Sequence, residues 1–143
     1  NKFIEMGEGR IRTMVVRKYK FTNKEILELT EQLDGYIWVV MDVKKGVIAA
    51  GDEYVSDLRD ELLISRHSKA NDIFGAGLNM RTGEIDYIPA VNRRNPSLDR
   101  GELSSEQELR VETVLHYFFE NIPPFLAERS GPRYSKKPVK MGL

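Results

Sequence analysis

"YIWVVMDVKKGVIAAG", residues 36–51, decides the fold. Its first six residues, Tyr36 to Met41, are apolar at every position, so both faces of an extended chain need cover, as they do for a strand inside a sheet. The β-branched and aromatic side chains that fill it suit a pleated surface. "VKKG", 43–46, then supplies a short turn, and "VIAA", 47–50, resumes strand character. The segment predicts a β-hairpin whose first arm is a central strand.

Working outward, "IRTMVVRKY" (11–19) reads as a further strand, and "DIFGAGLNM" (72–80) and "EIDYIPA" (84–90) flank "RTG" as a second hairpin. In the first arm of that hairpin Phe74, Ala76, Leu78 and Met80 alternate with Ile73, Gly75, Gly77 and Asn79. One face is core. The other carries two glycines, which marks close approach by another backbone, a helix or a ligand.

Two long helices are equally plain. Thr22 and Glu25 have the spacing of a capping box, Phe21 and Ile26 take the two staple positions, Gly35 follows as a C′ residue, and Ile26, Leu29, Thr30 and Leu33 form the inward stripe. Near the other end Val111, Val114, Leu115, Phe118, Phe119 and Ile122 recur at helical spacing; Ser105 and Glu108 can cap that helix, and Pro123 and Pro124 stop it. Residues 52–64 fit a short helix with Asp52 as N-cap and Val55, Leu58 and Leu62 on one side, an irregular extended course being the alternative. "VNRRNPSLDRGEL", 91–103, is a loop by its Asn, Pro and Gly content. The order predicts an α+β fold, a mainly antiparallel sheet of about five strands with two long helices packed on one face.

At 143 residues the chain has the length of one domain, enough to bury roughly 70% of the surface its unfolded form exposes. Its 41% hydrophobic and 31% charged residues are ordinary globular composition. The longest apolar run is far short of the ~20 residues that cross a bilayer, and "NKFIEMGEGR" lacks the apolar region of a secretory signal. These features place the chain in the cytoplasm, away from membranes. The absence of cysteine removes disulfides, thiolate nucleophiles and all-thiolate metal sites. A net charge of zero hides an asymmetry: residues 128–143 carry +4, through Arg129, Arg133, Lys136, Lys137 and Lys140 against Glu128, so the rest carries −4. The chain therefore divides into an α+β domain over 1–127 and a basic extension over 128–143, and an acidic body with a basic tail can bind itself.

Candidate sites are few. Asp52, Glu53, Asp57, Asp60 and Glu61 form an acidic run, and a hard cation needs several such oxygens converging at about 2.0–2.6 Å. If the run is helical, four of these acids share one face, which is ordinarily solvated. Glu53 and Asp57 are the candidate metal ligands. His67 lies beside Ser65 and Ser68 with Asp72 nearby, but proximity in sequence does not make a triad, so it is a surface-turn candidate for binding only. His116, with Glu112 and Glu120 four residues away on either side, reads as a solvated ion pair. In "NRRNP", Arg93 and Arg94 with Asn92 and Asn95 could clamp a carboxylate or phosphate, or pair with the protein's own acids. The glycines do not make a dinucleotide fingerprint, which needs a Gly loop between a strand and a helix.

The stretches "DVKKGVIAAG", then Glu53, Asp57, Leu62 and Leu63, then "SKANDIFGA" (68–76) and, more loosely, "IDYIPAVNRRNPS" (85–97) resemble a family of small uncharacterised prokaryotic proteins, domain of unknown function 5674. That family's pattern has a Gly-Gly-Glu-x-His-x-Asp stretch. Here Glu53 and Asp57 match it, Asp52 replaces a Gly, and Val55 stands where the His would be; an aromatic-Gly-x-Asn element appears as Phe74, Gly75 and Gly77, without its Asn. The resemblance implies a compact α+β protein and supplies no activity.

Nothing in the sequence brings a nucleophile, a base and an oxyanion donor together, so the first reading is a non-catalytic binding or interaction domain, a homo-oligomer that needs no cofactor. The alternative is a small metal-dependent hydrolase using a divalent cation on Glu53 and Asp57 with Asp42 or Asp60. A weaker alternative is RNA binding through Arg93, Arg94 and the basic tail, which the acidic body opposes.

Overall fold

The computed structural model describes residues 2–5, 11–32, 34–51 and 54–123. Six strands, β1 (Lys2–Glu5), β2 (Ile11–Arg17), β3 (Tyr36–Asp42), β4 (Val47–Ala50), β5 (Ile73–Asn79) and β6 (Ile85–Tyr87), lie in the order β1-β2-β4-β3-β5-β6 with every pairing antiparallel. Five of them form the main sheet, and β1 extends it as a hairpin arm on the first half of β2. As its sequence requires, β3 lies between β4 and β5. Helices α1 (Asn23–Gln32), α2 (Val55–Ser65), α3 (Pro89–Asn92) and α4 (Ser105–Phe118) complete an α+β fold.

The period of two along each strand sorts the core into two layers. Val15, Ile37, Val39, Met41, Ile48, Ala50, Phe74, Ala76 and Leu78 face α1 and α4, which share one side of the sheet. Met14, Val16, Val40, Val47, Ala49 and Ile73 face the other side, where Leu58 and Leu62 of α2 and Val91 of α3 cover them. The segment read as either a short helix or an extended run is thus a helix, because Leu58 and Leu62 are fully buried against that second face, each contributing about 1.5–3 kcal/mol by leaving water. Its start differs from expectation: Tyr54 is the N-cap, with no side-chain cap bond, and Asp52 lies outside the described residues.

Helix α1 starts as its sequence predicts, Glu25 N–H donating to Thr22 Oγ1 at 3.2 Å and Thr22 N–H to Glu25 Oε1 at 2.9 Å. At its other end Asp34 takes a left-handed conformation (φ 54°), which Asp tolerates, and Gly35 follows at φ 92° with its N–H returning to Thr30 C=O at 2.7 Å. Leu33 lies outside the described residues. Helix α4 is capped by Ser104 and Gln107 instead of Ser105 and Glu108. "SSEQE" satisfies the capping pattern in two frames, and the extended backbone of Ser104 selects the first. The helix stops at Phe118, four residues short of the prolines' limit, because Phe119 turns inward and stacks on Phe21.

Beside that stack the buried Arg17 guanidinium holds Glu25 through two bonds, Nη1 to Oε1 at 2.7 Å and Nη2 to Oε2 at 2.5 Å. Burial alone would raise the Glu25 pKa, but the Arg17 pair and the Thr22 N–H outweigh it and hold the carboxyl below its ordinary value of 4.5. A depressed folded value stabilises the fold above the unfolded value and loses that contribution as pH falls through the folded one. Unfolding midpoints of the protein are therefore expected to drop across the acid range below about pH 4.5, and Glu25→Gln, less stable at neutral pH, should show a flatter dependence there. An equally steep fall in the variant would count against this pair. No helix among the described residues is long and apolar enough to cross a membrane.

Candidate functional site

The acidic segment does not assemble a site among the described residues. Asp57 is half-buried in the first turn of α2, Asp60 is exposed, Glu61 is half-buried, and Glu53 lies outside the described residues. No three His, Asp or Glu side chains among the described residues are placed to hold a metal ion. Asp42 is fully buried and committed to structure: Oδ1 accepts from Lys44 N–H and Lys45 N–H, each at 2.9 Å, and Oδ2 from Ser68 Oγ at 2.5 Å. These bonds fix the turn of the central hairpin to the loop that follows α2. Lys45 Nζ completes the latch by donating to the carbonyls of Arg66 at 2.6 Å and His67 at 3.1 Å. His67 sits in that loop with φ 55° and an exposed side chain, so its carbonyl, not its imidazole, is the group in use. His116 is exposed and makes no ion pair with its helical neighbours: Glu112 accepts from Tyr87 Oη at 3.1 Å, and Glu120 pairs with Lys20.

"NRRNP" divides by residue type. Asn92 and Asn95 are buried at 0% and 2% exposure and act as substitute backbone along the edge of β5 that β6 is too short to cover. Asn92 Oδ1 accepts from Gly75 N–H at 2.8 Å and its Nδ2 donates to Gly75 C=O at 3.1 Å, while Asn95 Nδ2 donates to Ile73 C=O at 2.8 Å. Asn95 therefore belongs to the fold and not to a ligand site. Arg93 and Arg94 are exposed. Arg93's stem runs against Gly101 in the following turn. Arg94 makes no ion pair with Asp57, Asp60 or Glu61, the described acids of the acidic segment, and its charge acts on Arg59 of α2. Burial is the first cause lowering the Arg59 pKa, Arg94 the second, and the attraction of Asp60 is smaller than either.

The two glycines of β5 are approached by two different groups. A Cβ at Gly75 would meet Val91 Cβ at 2.8 Å, which is how α3 comes down onto the sheet, and one at Gly77 would meet the Tyr36 hydroxyl at 2.1 Å. Trp38, Gly77 and Asp86 are direct cross-strand neighbours. Tyr36 lies across that row, its ring edge-on to Trp38 with centroids 5.0 Å apart and its Oη donating to Asp86 Oδ2 at 3.0 Å. Burial, then the Asp86 charge, then that hydrogen bond hold the Tyr36 phenol protonated far above its ordinary range. Sequence reasoning flagged Gly77 but not its occupant; an aromatic two residues from Gly77's pairing partner is the signal that could have named it.

A family model, "Protein of unknown function (DUF5674)", matches residues 14–116, from the middle of β2 to the last turns of α4. The chain belongs to the DUF5674 family. No curated protein and no solved structure matches it. The match takes in the whole latch around Asp42 and the asparagine-capped β5 edge, so this DUF5674 member carries both within the family's span.

Proposed function

We propose that this DUF5674 chain is a non-catalytic binding domain that self-associates, the basic segment 128–143 of one copy lying on the α1 and α4 face of another. The observation that carries it is a partition of charge. Helices α1 and α4 hold six carboxylates against Lys24 and Arg110, and Glu28, Glu31 and Glu106 are exposed with no ion pair to any described residue. The described residues end at Pro123 beside that face, where Ile122 packs on the α1 and α4 core, and the +4 segment follows in sequence. Segment 128–143 itself lies outside the described residues. Asp42 is engaged in the hairpin latch and Asp86 with Tyr36 on the sheet, and no three His, Asp or Glu side chains among the described residues converge, which favours binding over catalysis.

Light scattering on the full chain tests this at about 0.1 M and about 1 M ionic strength, between which the Debye length falls from ~10 to ~3 Å. The reading requires an oligomer at the lower salt, and dissociation both at the higher salt and in a variant carrying Lys136→Gln, Lys137→Gln and Lys140→Gln. A monomer at the lower salt, or an oligomer indifferent to both changes, contradicts it.

A further inference from the structure

The junction between α1 and β3 holds the one Asp–Gly pair in the chain, Asp34–Gly35, and the chain has no Asn–Gly. Such a pair is reactive by its chemistry, because glycine presents its amide nitrogen to the preceding carboxyl with no Cβ in the way. The Asp34 side chain is 83% exposed. Three bonds hold the pair. Gly35 N–H donates to Thr30 C=O at 2.7 Å, Gly35 C=O accepts from Met80 N–H at 2.9 Å, and Asp34 Oδ1 accepts from Arg81 Nη2 at 2.5 Å. Arg81 also lies over the glycine: a Cβ built on Gly35 would stand 3.2 Å from both Arg81 Cγ and Arg81 Nε. The main chain of Arg81 is itself fixed, since Arg81 N–H and Thr82 N–H both donate to Asn79 Oδ1, at 2.9 and 3.2 Å. The tip of the β5–β6 hairpin is thus closed like a clamp on an exposed, reactive bond.

We propose that Asp34–Gly35 is a site of spontaneous modification, isomerisation to isoaspartate, and that Arg81 sets its rate. In the first step the Gly35 nitrogen attacks Asp34 Cγ; the amide proton and the hydroxyl of the carboxyl group leave together as water, and a five-membered succinimide remains. Water then adds at the former main-chain carbonyl of Asp34 and breaks its bond to the Gly35 nitrogen. The chain now runs through Cβ and Cγ, and the old carbonyl carbon carries the free carboxylate. One water is lost and one regained, so no other reactant is needed. Attack requires the nitrogen and Cγ to align at roughly 3–3.5 Å. For that, Gly35 N–H must leave Thr30 and the Asp34 carboxyl must turn away from Arg81. The native bonds therefore slow the step, and local opening of the junction permits it. The Arg81 and Asp34 side chains are both exposed, and such a pair contributes little to global stability, so its loss frees the bond without unfolding the chain. The product has one extra main-chain carbon between Thr30 and Met80, which disrupts the two Gly35 bonds. The site is independent of the self-association proposed above, since it lies within one copy and uses no residue of segment 128–143.

The test ages the full chain for weeks at body temperature and near-neutral pH. Isoaspartate is measured by enzymatic methylation of its free carboxylate and located by peptide mapping, where the mass is unchanged and the elution shifted. Urea-unfolded chain is expected to accumulate it at residue 34, the folded native chain severalfold more slowly, and folded Arg81→Ala at a rate between the two. Lys45→Ala is the control: it removes the bonds to the Arg66 and His67 carbonyls at the other hairpin, and it should age as the native chain does. Native chain enriched in the modified form should melt lower than fresh chain. No isoaspartate at residue 34 in the unfolded chain, equal rates in native and Arg81→Ala, or an equal gain in Lys45→Ala would each overturn the proposal.

Discussion

Asn92→Asp lowers stability by about 3–5 kcal/mol at neutral pH and by far less in mild acid, as chemical denaturation across a pH series will show. The carboxamide is fully buried and reciprocates both main-chain groups of Gly75. A carboxylate of the same shape keeps the acceptor for Gly75 N–H but sets a charge against Gly75 C=O with no donor between them. Burial raises the pKa of such an acid, so the folded variant binds its proton more tightly than the unfolded chain does, where the value is about 3.9. Folded protons then exceed unfolded ones through that window, and stability falls as pH rises. Once protonated, the acid can donate to Gly75 C=O as the amide did. A penalty that is small, or that does not change with pH, would show that the Asn92 bonds do not hold the β5 edge.

Phe119→Ala is the second large effect, about 3–5 kcal/mol and a fall in thermal midpoint on the order of 10 °C for a chain of this length. Phe119 has no exposed surface and stacks on Phe21 with ring centroids 4.7 Å apart, and Phe21 in turn meets Phe118 at 6.1 Å. Phe21 N–H also donates to Phe118 C=O at 3.0 Å, so the entry to α1 and the exit of α4 are tied by packing and by a main-chain bond. Removing one ring leaves a cavity under both helices. Leu109→Ala on the exposed side of α4 serves as the control, with an effect within about 0.5 kcal/mol. Equal losses in the two variants would contradict this account of the core.

The features legible from sequence were those settled by neighbours along the chain. The apolar run at 36–41 announced the central strand, "VKKG" its turn, and Thr22 with Glu25 the start of α1. What escaped was decided across the fold. The pattern Asn-Arg-Arg-Asn suggested a ligand clamp, yet only the shortness of β6 makes its asparagines edge caps, and strand length is not written at residues 92–95. Asp42 looked available for a metal, but the loop carrying Ser68 folds back on it.

The central claim is that the basic segment of one copy lies on the α1 and α4 face of another, and the lack of cysteine makes it directly measurable. A single Ser135→Cys substitution takes a nitroxide spin label, and the labelled chain is mixed with ¹⁵N-enriched native chain that carries no spin label. The account predicts intermolecular broadening of the amide signals around Glu28, Glu31 and Glu106 at low ionic strength, lost when salt is raised. Broadening confined to α2 and α3, or none at any salt, would contradict it.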